Sequence, residues 1–151
     1  MDTGIIVRAA IPRLNDGVLE WLMVERLSSE TYFPNFLEFP GGAVKRINGK
    51  LESLDEALIR ELQEEINTIP TNPRLIDKNI GEREDGTESD NWQLLLGSDC
   101  LSGEPEANTT QIEAIHWVPH EAMRNARLTR LTEHWFFTLP YFRKQTGLLT
   151  S

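Results

Sequence analysis

Apolar and polar positions alternate so as to divide the chain into short strands around one amphipathic helix. Residues 5–11 and 18–27 (VLEWLMVERL) are apolar runs of strand length, and Leu14-Asn-Asp-Gly17 supplies a turn between them. A loop with Pro34 and Asn35 leads into a short strand at 36–39, ended by Pro40-Gly41-Gly42. Ser53-Leu-Asp-Glu56 has capping-box spacing, and the pattern after it predicts a helix to about Ile66. Asn67 suits the left-handed residue that closes many helices, and Pro70 and Pro73 block continuation. Strands are predicted at 74–80, 91–96 and 112–118, with the polar segment 81–90 as an exposed, mobile hairpin loop. A short helix is expected at 119–125 and a longer one from Leu128 to about Lys144, interrupted near Pro140. Its Leu128, Leu131, Trp135, Phe136 and Leu139 recur at helical spacing and are expected in the core. Strands enclosing a capped helix, with a second helix at the end, predict a mixed α/β or α+β sandwich.

The acidic positions of the central helix do not follow a solvated face. With Glu61 at zero, the 100° step places Glu65 at about 40° and Glu64 at about 300°. Leu54, Leu58, Leu62 and Ile66 fall between about 20° and 140°, so Glu65 lies inside the apolar stripe and Glu61 on its border. A carboxylate there loses water unless it gains a partner, and like charges at this spacing destabilise a helix. A hard divalent cation with oxygen ligands resolves both costs. Gly41 and Gly42, just before the helix, let backbone approach a ligand closely and free a carbonyl as a further oxygen donor.

Composition narrows the partners. The chain of 151 residues suits one domain over 1–151, and a hydrophobic fraction of 39% suffices for its core. A net charge of −9 argues against binding a nucleic acid polymer, yet allows a small phosphorylated ligand bridged by a metal ion. No apolar run has membrane-span length and no basic secretory start is present, so no membrane partner is expected. The single Cys100 excludes an internal disulfide framework, and a reducing, cytoplasmic setting is the expectation.

The run from Gly42 through Glu52 to Arg60-Glu61-Leu62-Gln63-Glu64-Glu65 resembles the Nudix signature, and Glu38-Phe-Pro-Gly-Gly42 resembles its MutT-type branch. Seven residues separate Glu52 from Arg60, as in the signature, but nine rather than five separate Gly42 from Glu52. The extra four are expected to enlarge the loop 43–50, with Asn48-Gly49 as its turn. Asn67 and Thr68 replace the closing glycine and apolar residue of the motif. The resemblance implies a Nudix fold, an α/β/α sandwich of α+β class. It further implies a hydrolase that cleaves the diphosphate linkage of a nucleoside diphosphate derivative with Mg²⁺, or alternatively Mn²⁺. By match to the motif, Glu61, Glu64 and Glu65 are expected as metal ligands with the Gly42 carbonyl. Glu64 or Glu65 would also orient the attacking water, Arg60 would hold a carboxylate of the motif, and Glu52 would belong to the outer shell. A homodimer is a further expectation from the family alone.

The rest of the site is open in the sequence. Counting back six residues from Trp117, to where MutT-type enzymes can carry an additional Glu, gives Gln111, which cannot act as a base; Glu113 and Glu106 are the nearby alternatives. Arg26 is a candidate phosphate partner, Phe36, Phe39 or Trp92 a candidate base-stacking ring, and Asn125 a candidate reader of a base edge; surface or core positions are the alternative for each. Gln111 and the longer loop motivate a second reading, a nucleotide-sensing module without useful turnover.

Overall fold

The computed structural model describes residues 2–82 and 85–146. Its first strand, β1 (Asp2–Ala10), lies at the centre of a five-stranded sheet. On one side it pairs antiparallel with β5 (Gly41–Ile47), which pairs in turn with β6 (Lys50–Leu51). On the other side it pairs parallel with β8 (Glu88–Gly97), which carries the antiparallel edge strand β7 (Arg74–Glu82). The chain leaves this sheet at Ile11 and enters a second one. There β3 (Val18–Arg26) is flanked on one edge by β9 (Ile112–Pro119), while β2 (Pro12–Asn15) and β4 (Leu37–Glu38) share the other.

Neighbouring residues of the same strand serve two cores. Val7, Ala9, Leu22 and Val24 pack with Leu58, Leu62 and Ile66 of helix α1 (Leu54–Ile66). Ala10, Trp21 and Met23 pack instead with Trp135, Phe136 and Phe142 of α2 (Arg130–Thr138) and α3 (Pro140–Gln145). Burial on both faces explains why β3 reads as a continuous apolar run rather than an alternating one. The result is an α+β sandwich with helices on both faces, as the sequence predicts.

Helix α1 has both expected ends. Glu56 N–H donates to Ser53 Oγ at 3.1 Å and Ser53 N–H to Glu56 Oε1 at 3.3 Å, while Asn67 closes the helix at φ 57°. Pro140 divides α2 from α3, and residues 120–125 form a 3-10 turn.

Three expectations are corrected. The Asp16-Gly17 turn, at φ 49° and 79°, joins β3 to the separate strand β2, and not to β1. Residues 43–50 are not an enlarged loop: they are most of the β5–β6 hairpin, closed at Asn48-Gly49 (φ 53° and 78°). Strands β7 and β8 extend to Glu82 and from Glu88, so half of segment 81–90 is strand, and residues 83–84 lie outside the described residues.

Candidate active site

The β4–β5 junction and one face of α1 bring the motif residues together. Gly42 packs so tightly against α1 that a Cβ there would overlap the Glu61 carboxylate. Gly41, at φ 156°, lies against the backbone of Val7 and donates its N–H to Glu65 Oε1 at 3.2 Å. The double glycine is therefore a requirement of close approach, beyond that of a turn.

Arg60 organises the acidic side chains around it. Its Nε donates to Glu52 Oε2 at 2.8 Å and its Nη2 to Glu52 Oε1 at 2.7 Å, a bidentate pair. Nη2 also reaches Ala43 O at 2.9 Å, and Nη1 reaches Glu61 Oε1 at 2.9 Å and Glu64 Oε2 at 3.4 Å. The guanidinium holds the Glu52 carboxyl below its ordinary range against the opposing effect of burial. The longer stretch between Gly42 and Glu52 leaves this pairing intact because the hairpin closes on itself. Glu52 N–H donates to Lys45 O at 3.0 Å, and Lys45 N–H to Glu52 Oε1 at 2.9 Å.

Glu61 and Glu65 are each 8% exposed, while Glu64 is exposed. Glu61, placed at the border of the apolar stripe by the helical wheel, is thus as buried as Glu65. Burial pushes the Glu65 carboxyl up to about 8; the Glu38 and Glu61 charges add to this, and Arg8 and the Gly41 N–H oppose it. Three carboxylates face one guanidinium here, with the Glu65 carboxyl on the same helix, and all their oxygens are hard donors suited to a divalent cation. Among the described residues, no three acidic, histidine or cysteine side chains converge on one metal position. Glu61 and Glu64 turn toward Arg60, and Glu65 toward Gly41. The donor set, the glycine cradle and the buried, proton-retaining Glu65 nevertheless fit a divalent ion.

Beside this cluster opens a cavity of about 290 Å³. Arg26 lines it, with Nη1 on Glu38 Oε2 at 3.1 Å and Nη2 on Glu30 at 3.1 Å. Arg8, Glu38 and Gln93 also line it. The sequence reading gives none of these three a site role, quoting Glu38 only within the Glu38-Phe-Pro-Gly-Gly42 stretch, and no short-range pattern links positions 8, 38 and 93. The alternation in β1 gave a weak signal: an arginine stands between Val7 and Ala9 in a buried strand, which demands a partner.

The other candidates lie elsewhere. Phe36 packs edge-on against Phe33, with the Arg127 guanidinium 4.4 Å from its ring centre. Glu113 is exposed and accepts from Ser28 N–H at 2.8 Å and Ser28 Oγ at 2.9 Å, tying down the loop after β3. Asn125 is exposed at the end of the 3-10 turn, and Gln111 is exposed before β9. Glu106 is exposed and accepts from Asn67 Nδ2 at 3.4 Å. Phe39 is fully buried against Phe142, and Trp92 is half exposed. No helix among the described residues is long and apolar enough to cross a membrane.

A protein-family model for the NUDIX domain matches residues 5–139. No curated protein matches the chain. Among solved structures, the NUDIX domain of Shewanella oneidensis NrtR, complexed with ADP ribose, gives a TM-score of 0.73 at 16% identity, over 96% of this chain and 87% of that one. A MutT NUDIX hydrolase from Burkholderia pseudomallei gives 0.68 at 22% identity, over 85% and 92%. A MutT protein from Methanosarcina mazei gives 0.68 at 20%, over 93% of each. At these identities the likeness is one of fold.

Proposed function

This chain belongs to the NUDIX family and is a Nudix pyrophosphohydrolase, and on that premise we propose that it is a Mg²⁺-dependent enzyme cleaving the diphosphate linkage of a nucleoside triphosphate or another nucleoside diphosphate derivative. The observation that carries the reading is Glu65, a buried carboxyl on α1 held against the Gly41 backbone beside Glu61. Glu61, Glu64, Glu65 and the Gly42 carbonyl would hold the cation. When bound, Mg²⁺ neutralises charge on the phosphoryl group and lowers the pKa of water.

The chain's own residues do the rest. Arg60 keeps Glu61 and Glu64 on one side of α1, and its bond to Ala43 O ties that side to β5. Glu52 fixes the guanidinium bidentately and acts through it as a positioning residue. Glu65 retains a proton near neutral pH and must release it to act as an anionic ligand. Glu64, which is exposed, would orient water. Arg26 faces the adjoining cavity, where the nucleoside side of the substrate would lie.

The test is hydrolysis. The protein is incubated with Mg²⁺ and a panel of nucleoside triphosphates, ADP-ribose, nucleotide sugars and dinucleoside polyphosphates, and release of phosphate, pyrophosphate and mononucleotide is measured. Release that is lost in Glu64→Gln and Glu65→Gln supports the proposal. Tight nucleotide binding without turnover would favour the sensing module, and turnover unchanged in both variants would overturn the site assignment.

A further inference from the structure

The cavity beside the carboxylates contains a pair of polar groups that the hydrolytic reading does not use. Arg8, on β1, donates its Nε to Gln93 Oε1 at 2.7 Å. Its Nη1 donates to Phe39 O at 3.0 Å and lies 3.3 Å from Glu38 Oε2. Arg26 takes the same Glu38 oxygen at 3.1 Å. Each partner is thereby fixed by one atom and leaves the other unbonded: among the described residues, neither Glu38 Oε1 nor Gln93 Nε2 has a hydrogen-bond partner. Both side chains line the cavity, and Glu38 is 9% exposed.

Resting on the hydrolase reading, we infer that Glu38 and Gln93, both bound to Arg8 on the cavity wall, determine which nucleobase the enzyme accepts, one by taking an N–H of the base and the other by donating to an acceptor on it. Glu38 Oε1 is an acceptor and Gln93 Nε2 a donor, so the pair complements a base that offers both an N–H and an acceptor to the cavity wall. The cavity is of single-base size, and Phe33 and Tyr32 supply an aromatic wall for a flat ring. The two guanidinium charges are balanced locally by Glu38 and Glu30, which favours a neutral polar group over a further phosphate. A base lacking the N–H covers the Glu38 oxygen, which is otherwise open to the cavity, without giving it a partner, and that is a strong ground for rejection.

The experiment compares the best nucleotide substrate with its analogue methylated at the edge N–H, measuring both kcat/KM and the Kd for each. Wild type should disfavour the methylated analogue at least about tenfold in both quantities. In Glu38→Gln the two arginines take the new carbonyl oxygen and turn the NH2 into the cavity, so the discrimination should collapse. Gln93→Glu keeps the Arg8 contact but replaces the donor by an acceptor, and should lower kcat/KM for the best substrate while moving its hydrolysis toward that of an abasic ribose triphosphate. Melting curves identify any variant that fails to fold, and the other then carries the test. Equal wild-type Kd values for the two analogues, or discrimination unchanged in a folded variant, would overturn the inference. Discrimination in Kd without turnover would uphold it and overturn the hydrolase reading instead.

Discussion

Arg60 and Arg8 each bridge polar partners, yet the clusters they organise differ in charge. Around Arg60 stand Glu52, Glu61 and Glu64, so one guanidinium faces three carboxylates. Around Arg8 the charged groups balance more nearly: Arg8 and Arg26 face Glu38 and Glu30, with the proton-retaining Glu65 beside Arg8 and Glu38. The first cluster carries excess negative charge, which the proposed cation would balance. The second is satisfied and leaves only oriented hydrogen-bonding atoms. On the proposed reading one side of the site serves charge and the other recognition of the base.

The largest expected effect breaks the charged side. Glu65→Gln should lower kcat by about 10² to 10⁴, the range for a positioned acid or base, measured by initial rates at saturating Mg²⁺. The same variant should melt higher than wild type at pH 8 in chelator, because it removes a carboxyl that burial disfavours. Gly42→Ala should cost at least about tenfold in kcat/KM, since the added methyl must displace Glu61. Arg60→Ala should lower unfolding free energy by about 3 kcal/mol in urea titrations, leaving the nearly buried Glu52 carboxylate with the Lys45 N–H but without its ion partner.

The pH dependence sharpens the contrast. A carboxyl whose folded value is raised binds its proton more tightly in the folded state. Its contribution is complete below the ordinary value of 4.5 and is lost as pH rises to about 8. Metal-free protein should therefore lose stability across that window, with a slope of at most about 1.4 kcal/mol per pH unit from this group. Saturating Mg²⁺ should flatten the slope, and so should Glu65→Gln. The smallest effect is expected at Glu113→Ala, which frees Ser28 at an exposed position and should move the melting temperature by about 1–2 °C.

The same two clusters explain what was legible in the sequence. Glu61, Glu64 and Glu65 lie within five consecutive positions, so helical periodicity alone exposes the conflict between charge and apolar stripe. The capping box, the Asn67 closure and the Pro140 break are likewise local. Arg8, Glu38 and Gln93 come from three strands joined by non-local pairing, including the parallel β1–β8 contact, which no short window encodes. The hairpin at 43–50 was misread for a related reason. Its Asn48-Gly49 turn is visible in the sequence, but its flanking residues are exposed at the tip and lack the apolar alternation that marks a strand.

The central claim is that Glu65 gives up a retained proton to a divalent cation shared with Glu61 and Glu64. Calorimetric titration of Mg²⁺ into the protein at pH 7, repeated in buffers of different ionisation enthalpy, measures both the binding and the protons released. The account predicts saturable binding with release of close to one proton, and loss of that release with weakened binding in Glu65→Gln. Binding of equal strength in Glu65→Gln, with no proton released by either protein, would contradict it.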